Sequence, residues 1–319
     1  MGTTAEITLF ARNEDRGAEL MEVAFGEIER VEALLSSYRP GSEVTRINRH
    51  AALGPVTTDP ETFGIIERAL DFSEITHGAF DVTVGPLLKA WGFFEGTGHT
   101  PSAEDLRAAR EASGWEGVTL SPGARSVRFR KPGLELDFGG MGKGWALDRA
   151  AALLKGLGVN AALLGLGNSS YYAMGSPPGK PGWLIVIPDP NDPGEPLRCV
   201  FLKDGALSTS GSAQRSFEVD GRRFSHIIDP RTGQPSSGMV QVTVTARTAT
   251  ESDVYATAIF VLGPYEAENS LDDADGVSAL LVMEEDRASP AVITLEWPEM
   301  DADPILTSAF GGCPGPAGA

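Results

Sequence analysis

The sequence predicts an α+β fold, with mixed or antiparallel sheets and packed helices. Strand-like and helix-like runs are interleaved without regular βαβ alternation, which argues against a doubly wound parallel sheet. Hydrophobic, charged and aromatic fractions of 41%, 22% and 8% are those of an ordinary globular chain, so a packed core is expected. The 319 residues contain no internal repeat and could fill one large domain or two small ones. A single domain over 1–303 is expected, with a Gly/Pro-rich tail over 304–319 expected to be disordered.

Each element follows from local pattern. Residues 7–11 alternate as a strand, and 18–35 form a helix with Leu20, Val23, Ala24, Ile28, Val31 and Leu35 on one face. Thr58 or Asp59 can cap a helix with Pro60 at its first position, running to about Thr76. A short helix starts in 101–105 and ends near Gly114. Residues 118–120, 127–129 and 134–138 read as a small antiparallel run, and a helix follows over 143–157, stopped at Gly158. Residues 161–166, 171–174 and 183–187 read as strands, and the Pro/Gly-rich runs 177–181 and 188–196 as surface loops. Residues 217–224 form a hairpin turned at Asp220-Gly221, and 240–246 a strand. Helices over 251–262 and 264–272 and a final strand over 279–283 complete the domain.

Composition limits the partners. Forty-four acidic against 26 basic side chains give a net charge of -18, which disfavours nucleic acid and anionic membrane surfaces. An anionic ligand would then need local positive potential from a lysine, a helix N-terminus or a bound cation. Cys199 and Cys313 exclude a disulfide framework and a cysteine zinc site; one bridge is possible, but free thiols are expected because Cys313 lies in the Gly/Pro tail. No apolar run approaches membrane-spanning length, so no direct membrane insertion is expected. The opening Met1-Gly2-Thr3-Thr4-Ala5-Glu6 has no basic n-region or apolar h-region. That predicts a cytoplasmic protein, or an extracytoplasmic one whose leader is not in this sequence.

Three segments carry candidate chemistry. Phe224-Ser225-His226-Ile227-Ile228-Asp229-Pro230-Arg231-Thr232-Gly233 reads as a strand broken by Asp-Pro, which gathers polar side chains at a strand end. His226 could be a base there because its unperturbed pKa lies near neutral; the plain alternative is an Asx-Pro turn capped by Asp229. Gly139-Gly140-Met141-Gly142-Lys143-Gly144 lies between strand and helix, where amides and Lys143 could meet an anion. Neither it nor Gly165-x-Gly167-x-x-Ser170 completes a nucleotide-binding fingerprint, and a glycine turn of this kind can be purely structural. Asp253 and Thr257, at i and i+4, share a helix face that suits a hard cation. Equally, Asp253 could be a first-turn acid and Thr257 a core residue; Glu251 is the simpler cap.

Taken in order, these segments resemble the FAD:protein FMN transferase, or ApbE, family. The resemblance also rests on Ser37-Tyr38-Arg39-Pro40-Gly41-Ser42-Glu43-Val44 with Ile47-Asn48, on Gly78-Ala79-Phe80-Asp81-Val82-Thr83-Val84-Gly85-Pro86-Leu87, on Ser208-Thr209-Ser210-Gly211 and on Glu251-Ser252-Asp253-Val254-Tyr255-Ala256-Thr257-Ala258. It covers roughly residues 1–285 and implies an ApbE-like, T-fold-related architecture. It implies that Lys143 lies by FAD, that Asp253, Thr257 and the carbonyl of Gly140 hold Mg²⁺, and that Tyr38 stacks on the isoalloxazine with Asp81 and Thr83 beside it. Thr209 and Ser210, read as a small polar turn, would lie by the nucleotide. His226 would be the base, and Asp229 would orient it or help the metal.

The implied reaction is Mg²⁺-dependent transfer of FMN from FAD to a threonine hydroxyl of an acceptor flavoprotein, a subunit of a membrane redox complex, with release of AMP. An FAD pyrophosphatase and a catalytically impaired FAD-binding protein are the alternatives. The chain departs from the family at Gly167-Asn168-Ser169-Ser170, where a Gly-Gly-Asp turn is usual, and at Ser212-Ala213-Gln214-Arg215. Arg215 could still meet a phosphate.

Overall fold

A computed structural model of the chain describes residues 3–94, 96–212, 216–219, 222–271, 274, 276–284 and 291–295. The expected tail, the turn at Asp220-Gly221 and Arg215 lie outside them. Strand β1 (Ala5–Leu9) leads into helix α1 (Glu14–Leu35), which starts where the Asn13 side chain accepts from Arg16 N. Leu20, Ala24, Ile28, Val31 and Leu35 are buried as the spacing predicts; Val23 is 40% exposed and lies off that face. Helix α2 (Glu43–His50), capped by Ser42, is followed by β2 (Val56–Thr57). Helix α3 (Pro60–Ile75) has the predicted Asp59 cap, which accepts from Glu61 N, and Pro60 in its first turn.

Helices α4 (Gly85–Ala90) and α5 (Ala103–Ala112) precede strands β3 (Val118–Ser121) and β4 (Ser126–Phe129). The small sheet has the order β2-β4-β3, so its third strand is β2 and not residues 134–138. That stretch forms no ladder. The amide side chain of Asn48 serves as its partner, donating to Leu136 O (2.9 Å) and accepting from Leu136 N (2.8 Å).

Helix α6 (Gly142–Gly156) then passes to β5 (Ala162–Leu166) and β6 (Ser170–Met174). A hairpin of β7 (Trp183–Pro188) and β8 (Pro196–Leu202) leads to β9 (Gly205–Gly211). Two ribbons follow, one of β10 (Ser216–Val219) with β11 (Arg222–Ser225), the other of β12 (Ile228–Asp229) with β13 (Gln234–Pro235). The chain closes with β14 (Met239–Ala246), α7 (Ala249–Leu271), β15 (Ser278–Met283) and β16 (Val292–Leu295). The predicted break between two helices is a kink inside α7, at Gly263 (φ 71°) before Pro264.

The main sheet is antiparallel throughout, in the order β1-β5-β6-β9-β14-β15-β16. Its strands alternate between two buried faces. Ala206, Val242, Val244 and Leu281 join the large core with α1, α6 and α7, whereas Leu207 and Leu280 face the β7–β8 hairpin with Trp183 and Ile185. A third cluster, around Leu87, Trp91, Ala109 and Ile228 with Phe93, Phe217 and Phe224 packed on it, fastens the two ribbons to α4 and α5. Cys199, in β8, is disulfide-bonded and not free as expected. Among the described residues, no helix is long and apolar enough to cross a membrane.

Candidate active site

The site is built where two helix starts meet. Near the end of residues 134–138, Asp137 N donates to Val82 O (2.7 Å), and the Asp137 carboxylate accepts from Gly139 N (2.8 Å) and from Ser37 Oγ (2.8 Å). These bonds turn the glycine segment into α6. The start of α7 is held by two sets of hydrogen bonds. Thr248 Oγ accepts from Glu251 N (3.1 Å) while the Glu251 carboxylate accepts from Thr248 N (3.3 Å), a reciprocal capping box that confirms Glu251 as a cap. Asp148 of α6 accepts from Ala249 N, Thr250 N and Thr250 Oγ (2.8, 2.9 and 2.6 Å). Burial raises the Asp148 pKa, and those three donors offset part of the rise. Gly144 gives the helices room, since a Cβ there would sit 2.1 Å from Ala249 O.

Asp253 is thereby fixed in the second turn of α7, 5% exposed. Its Oδ1 accepts from Lys143 Nζ (3.1 Å) and Ser170 Oγ (2.9 Å), and its Oδ2 accepts from Gly144 N (3.0 Å). One helical turn on, Thr257 Oγ donates to Asp253 O (3.2 Å). A Cβ on Gly140 would lie 3.3 Å from that hydroxyl, so the glycine segment and this face of α7 are in contact. The Asp253 carboxylate and the Thr257 hydroxyl, with the glycine segment beside them, are oxygen donors of the kind a hard divalent cation takes. No group of three or more His, Cys, Asp or Glu that could hold a metal occurs among the described residues. Further ligands for a cation here would be water or an anionic substrate.

These residues line a cavity of about 660 Å³. Of the residues singled out in the sequence, Tyr38, Asp81, Gly140, Lys143 and His226 are on its wall. Thr209, Ser210, Asp253 and Thr257 are there too. Thr209 and Ser210 do not form a turn: they lie in β9, inside the main sheet, because β6 and β14 supply ladder partners on both sides. Tyr38 is 55% exposed and stacks on Phe94, with ring centroids 4.3 Å apart and planes 14° from parallel. His226 sits between β11 and β12, edge-on to Phe93 (6.5 Å).

Thr83 and Asp229 are not on the wall. Thr83 is wholly buried; its hydroxyl donates to Asp81 Oδ1 (2.7 Å) and accepts from Gly114 N (2.8 Å). Asp81 is spent in the same turn, accepting from Thr83 N and Trp115 N, and burial raises its pKa. Both oxygens of Asp229 accept from Arg231, whose guanidinium also reaches Glu266 (2.9 Å), so Asp229 braces its own turn. Glu32, Ser37 and Asp137 are wall residues to which sequence reasoning assigned no role, and Asn168 and Ser169, from the turn that departs from the family pattern, are on the wall as well. Gly167 and Asn168 form a turn with φ of 65° and 53°. The ionisable wall includes Glu32, Asp81, Asp137 and Asp253 but one lysine, Lys143, so a polyanion requires added positive charge.

Known proteins resemble this chain along most of its length. The ApbE family model matches residues 1–281. The chain is 32% identical over 291 residues to the FAD:protein FMN transferase of Escherichia coli (strain K12), covering 89% of this chain and 82% of that one. To the FAD:protein FMN transferase of Klebsiella pneumoniae it is 31% identical, covering 89% and 83%. The crystal structure of the ApbE protein from Thermotoga maritima superposes with a TM-score of 0.84 at 32% identity, over 92% of this chain and 94% of that one. The apo form of the Pseudomonas stutzeri flavinyl transferase ApbE gives 0.81 at 27% identity, over 99% and 98%. On its sequence, its fold and the family model that spans most of its length, this chain belongs to the ApbE family.

Proposed function

We propose that this transferase moves FMN from FAD to a threonine hydroxyl of an acceptor protein, with Mg²⁺ bound, and releases AMP. The observation that carries the reading is one cavity in which Lys143, Asp253, Thr257 and His226 converge on a wall that also bears the exposed ring of Tyr38. Its volume lies in the range of small-molecule sites, and its mixture of aromatic and charged groups suits a flavin joined to a diphosphate. The similarity to proteins named FAD:protein FMN transferase supports the substrate.

In this reading Asp253, Thr257 and the Gly140 carbonyl hold Mg²⁺, which when bound offsets the diphosphate charge in a wall rich in carboxylates. Lys143 swings from Asp253 to the phosphates. Tyr38 and Phe94 receive the isoalloxazine ring. The threonine oxygen bonds to the FMN phosphorus as the phosphoanhydride bond to AMP breaks. The hydroxyl proton passes to a ring nitrogen of His226, and AMP leaves with the bridging oxygen. Positioning and charge supply most of the acceleration in such transfers. The acceptor, by family resemblance, is a subunit of a membrane redox complex.

The test incubates the protein with FAD and Mg²⁺, with and without a threonine-bearing acceptor domain, read by intact mass and nucleotide chromatography. The reading expects an acceptor mass gain matching FMN, with equimolar AMP. AMP and free FMN formed equally without acceptor would make the protein an FAD pyrophosphatase. FAD left intact with an acceptor that an E. coli-type relative flavinylates would make it a binding protein.

A further inference from the structure

Two of the donors that hold Asp253 are fixed by the fold. Gly144 N belongs to the first turn of α6, and Ser170 Oγ to the first residue of β6, where Ser170 is wholly buried. The third, Lys143 Nζ, ends a long side chain that is 25% exposed, and it is the donor a bound anion would draw away. An ionised carboxylate offers about four lone-pair sites. Ser170 takes one on Oδ1 and Gly144 N takes one on Oδ2, which leaves one on each oxygen for Lys143 or a cation.

We infer that Ser170 is a positioning residue: its hydroxyl holds the Asp253 carboxylate towards the cavity whether or not Lys143 is bonded to it. The inference rests on the reading of Asp253 as a cation ligand. Without the Ser170 donor, Oδ1 keeps only the mobile lysine, and the carboxylate can turn when that lysine leaves. A neighbouring pair supplies an internal control. Ser208 of β9 is the ladder partner of Ser170, equally buried, and its hydroxyl bonds Ser252 Oγ (2.8 Å) instead of Asp253. The same polar layer thus contains one hydroxyl that touches the ligand carboxylate and one that does not.

The experiment measures Mn²⁺ binding to the full chain by electron paramagnetic resonance of the free ion, with and without FAD, alongside the half-saturating Mg²⁺ concentration in turnover. Ser170→Ala is expected to weaken Mn²⁺ binding about tenfold or more, and to raise half-saturating Mg²⁺ likewise, with kcat at saturating Mg²⁺ little changed. Ser170→Cys keeps only a weak donor and should fall between wild type and alanine. Ser208→Ala should lower Tm and leave Mn²⁺ affinity unchanged. Equal shifts in Ser170→Ala and Ser208→Ala would reduce Ser170 to a packing residue. So would an unshifted Ser170→Ala in a protein whose Asp253→Asn variant no longer binds Mn²⁺. If Asp253→Asn itself binds Mn²⁺ normally, the cation assignment falls, and the role of Ser170 with it.

Discussion

At the scale of residues, the carboxylate of Asp253 joins the two helix starts, and its loss should be felt in both binding and turnover. Asp253→Ala is expected to abolish AMP formation and to weaken FAD binding, measured by nucleotide chromatography and calorimetric titration. His226→Ala should reduce turnover by about 10²–10⁴-fold, the usual range for a general base, with the FAD dissociation constant unchanged. Thr83 separates a wall residue from a brace. Thr83→Val leaves Gly114 N and one Asp81 oxygen short of a bond, a cost of about 1–3 kcal/mol, so Tm should fall by several degrees while KM for FAD holds. The helical pair Asp253/Thr257 was legible because i, i+4 spacing fixes a shared face. The fate of Thr83 was not legible, because Gly114, which consumes its hydroxyl, lies 31 residues away. Asp137 escaped notice for a similar reason, as its partner Ser37 is 100 residues distant.

At the scale of elements, the proposed activity would depend on how α6 and α7 abut. Gly144→Ala would drive a Cβ into the Ala249 carbonyl and push the helices apart. It is expected to lower Tm and to disrupt cation binding together, checked by thermal denaturation and Mn²⁺ titration. Thr248→Ala, which removes only the cap, should cost about 1 kcal/mol with smaller loss of activity. Helices α1, α3, α6 and α7 were legible because each is long and carries a cap, a proline or a periodic apolar face. Strand β9 was not. Its sequence, Gly-Ala-Leu-Ser-Thr-Ser-Gly, lacks the bulky alternation of a strand and extends because two neighbours complete its hydrogen bonds.

At the scale of the whole molecule, one ionic network ties three helices on the side of α1. Glu27 bonds Arg30 in α1 and Arg149 in α6, and both arginines also pair with Glu61 of α3. The hydrogen bond from Arg30, followed by the charges of Arg30 and Arg149, holds the Glu27 pKa below its ordinary 4.5 against the opposing effect of burial. A lowered carboxylate pKa contributes stability that is complete above the unfolded value and lost as pH falls through the folded one. Glu27→Gln should therefore lower Tm at neutral pH and flatten its fall below about pH 4.5, followed by thermal denaturation across pH. The sequence by itself determined the fold class, the family, the long helices and the residue types of the site, since these follow from short-range periodicity and from the order of motifs along the chain. Tertiary structure alone decided that residues from opposite ends of the chain share one cavity, that Thr83 and Asp229 brace turns outside it, and that Ser170 reaches Asp253. Those outcomes depend on hydrogen bonds between distant segments, and local spacing carries no record of which distant partner a polar side chain will meet.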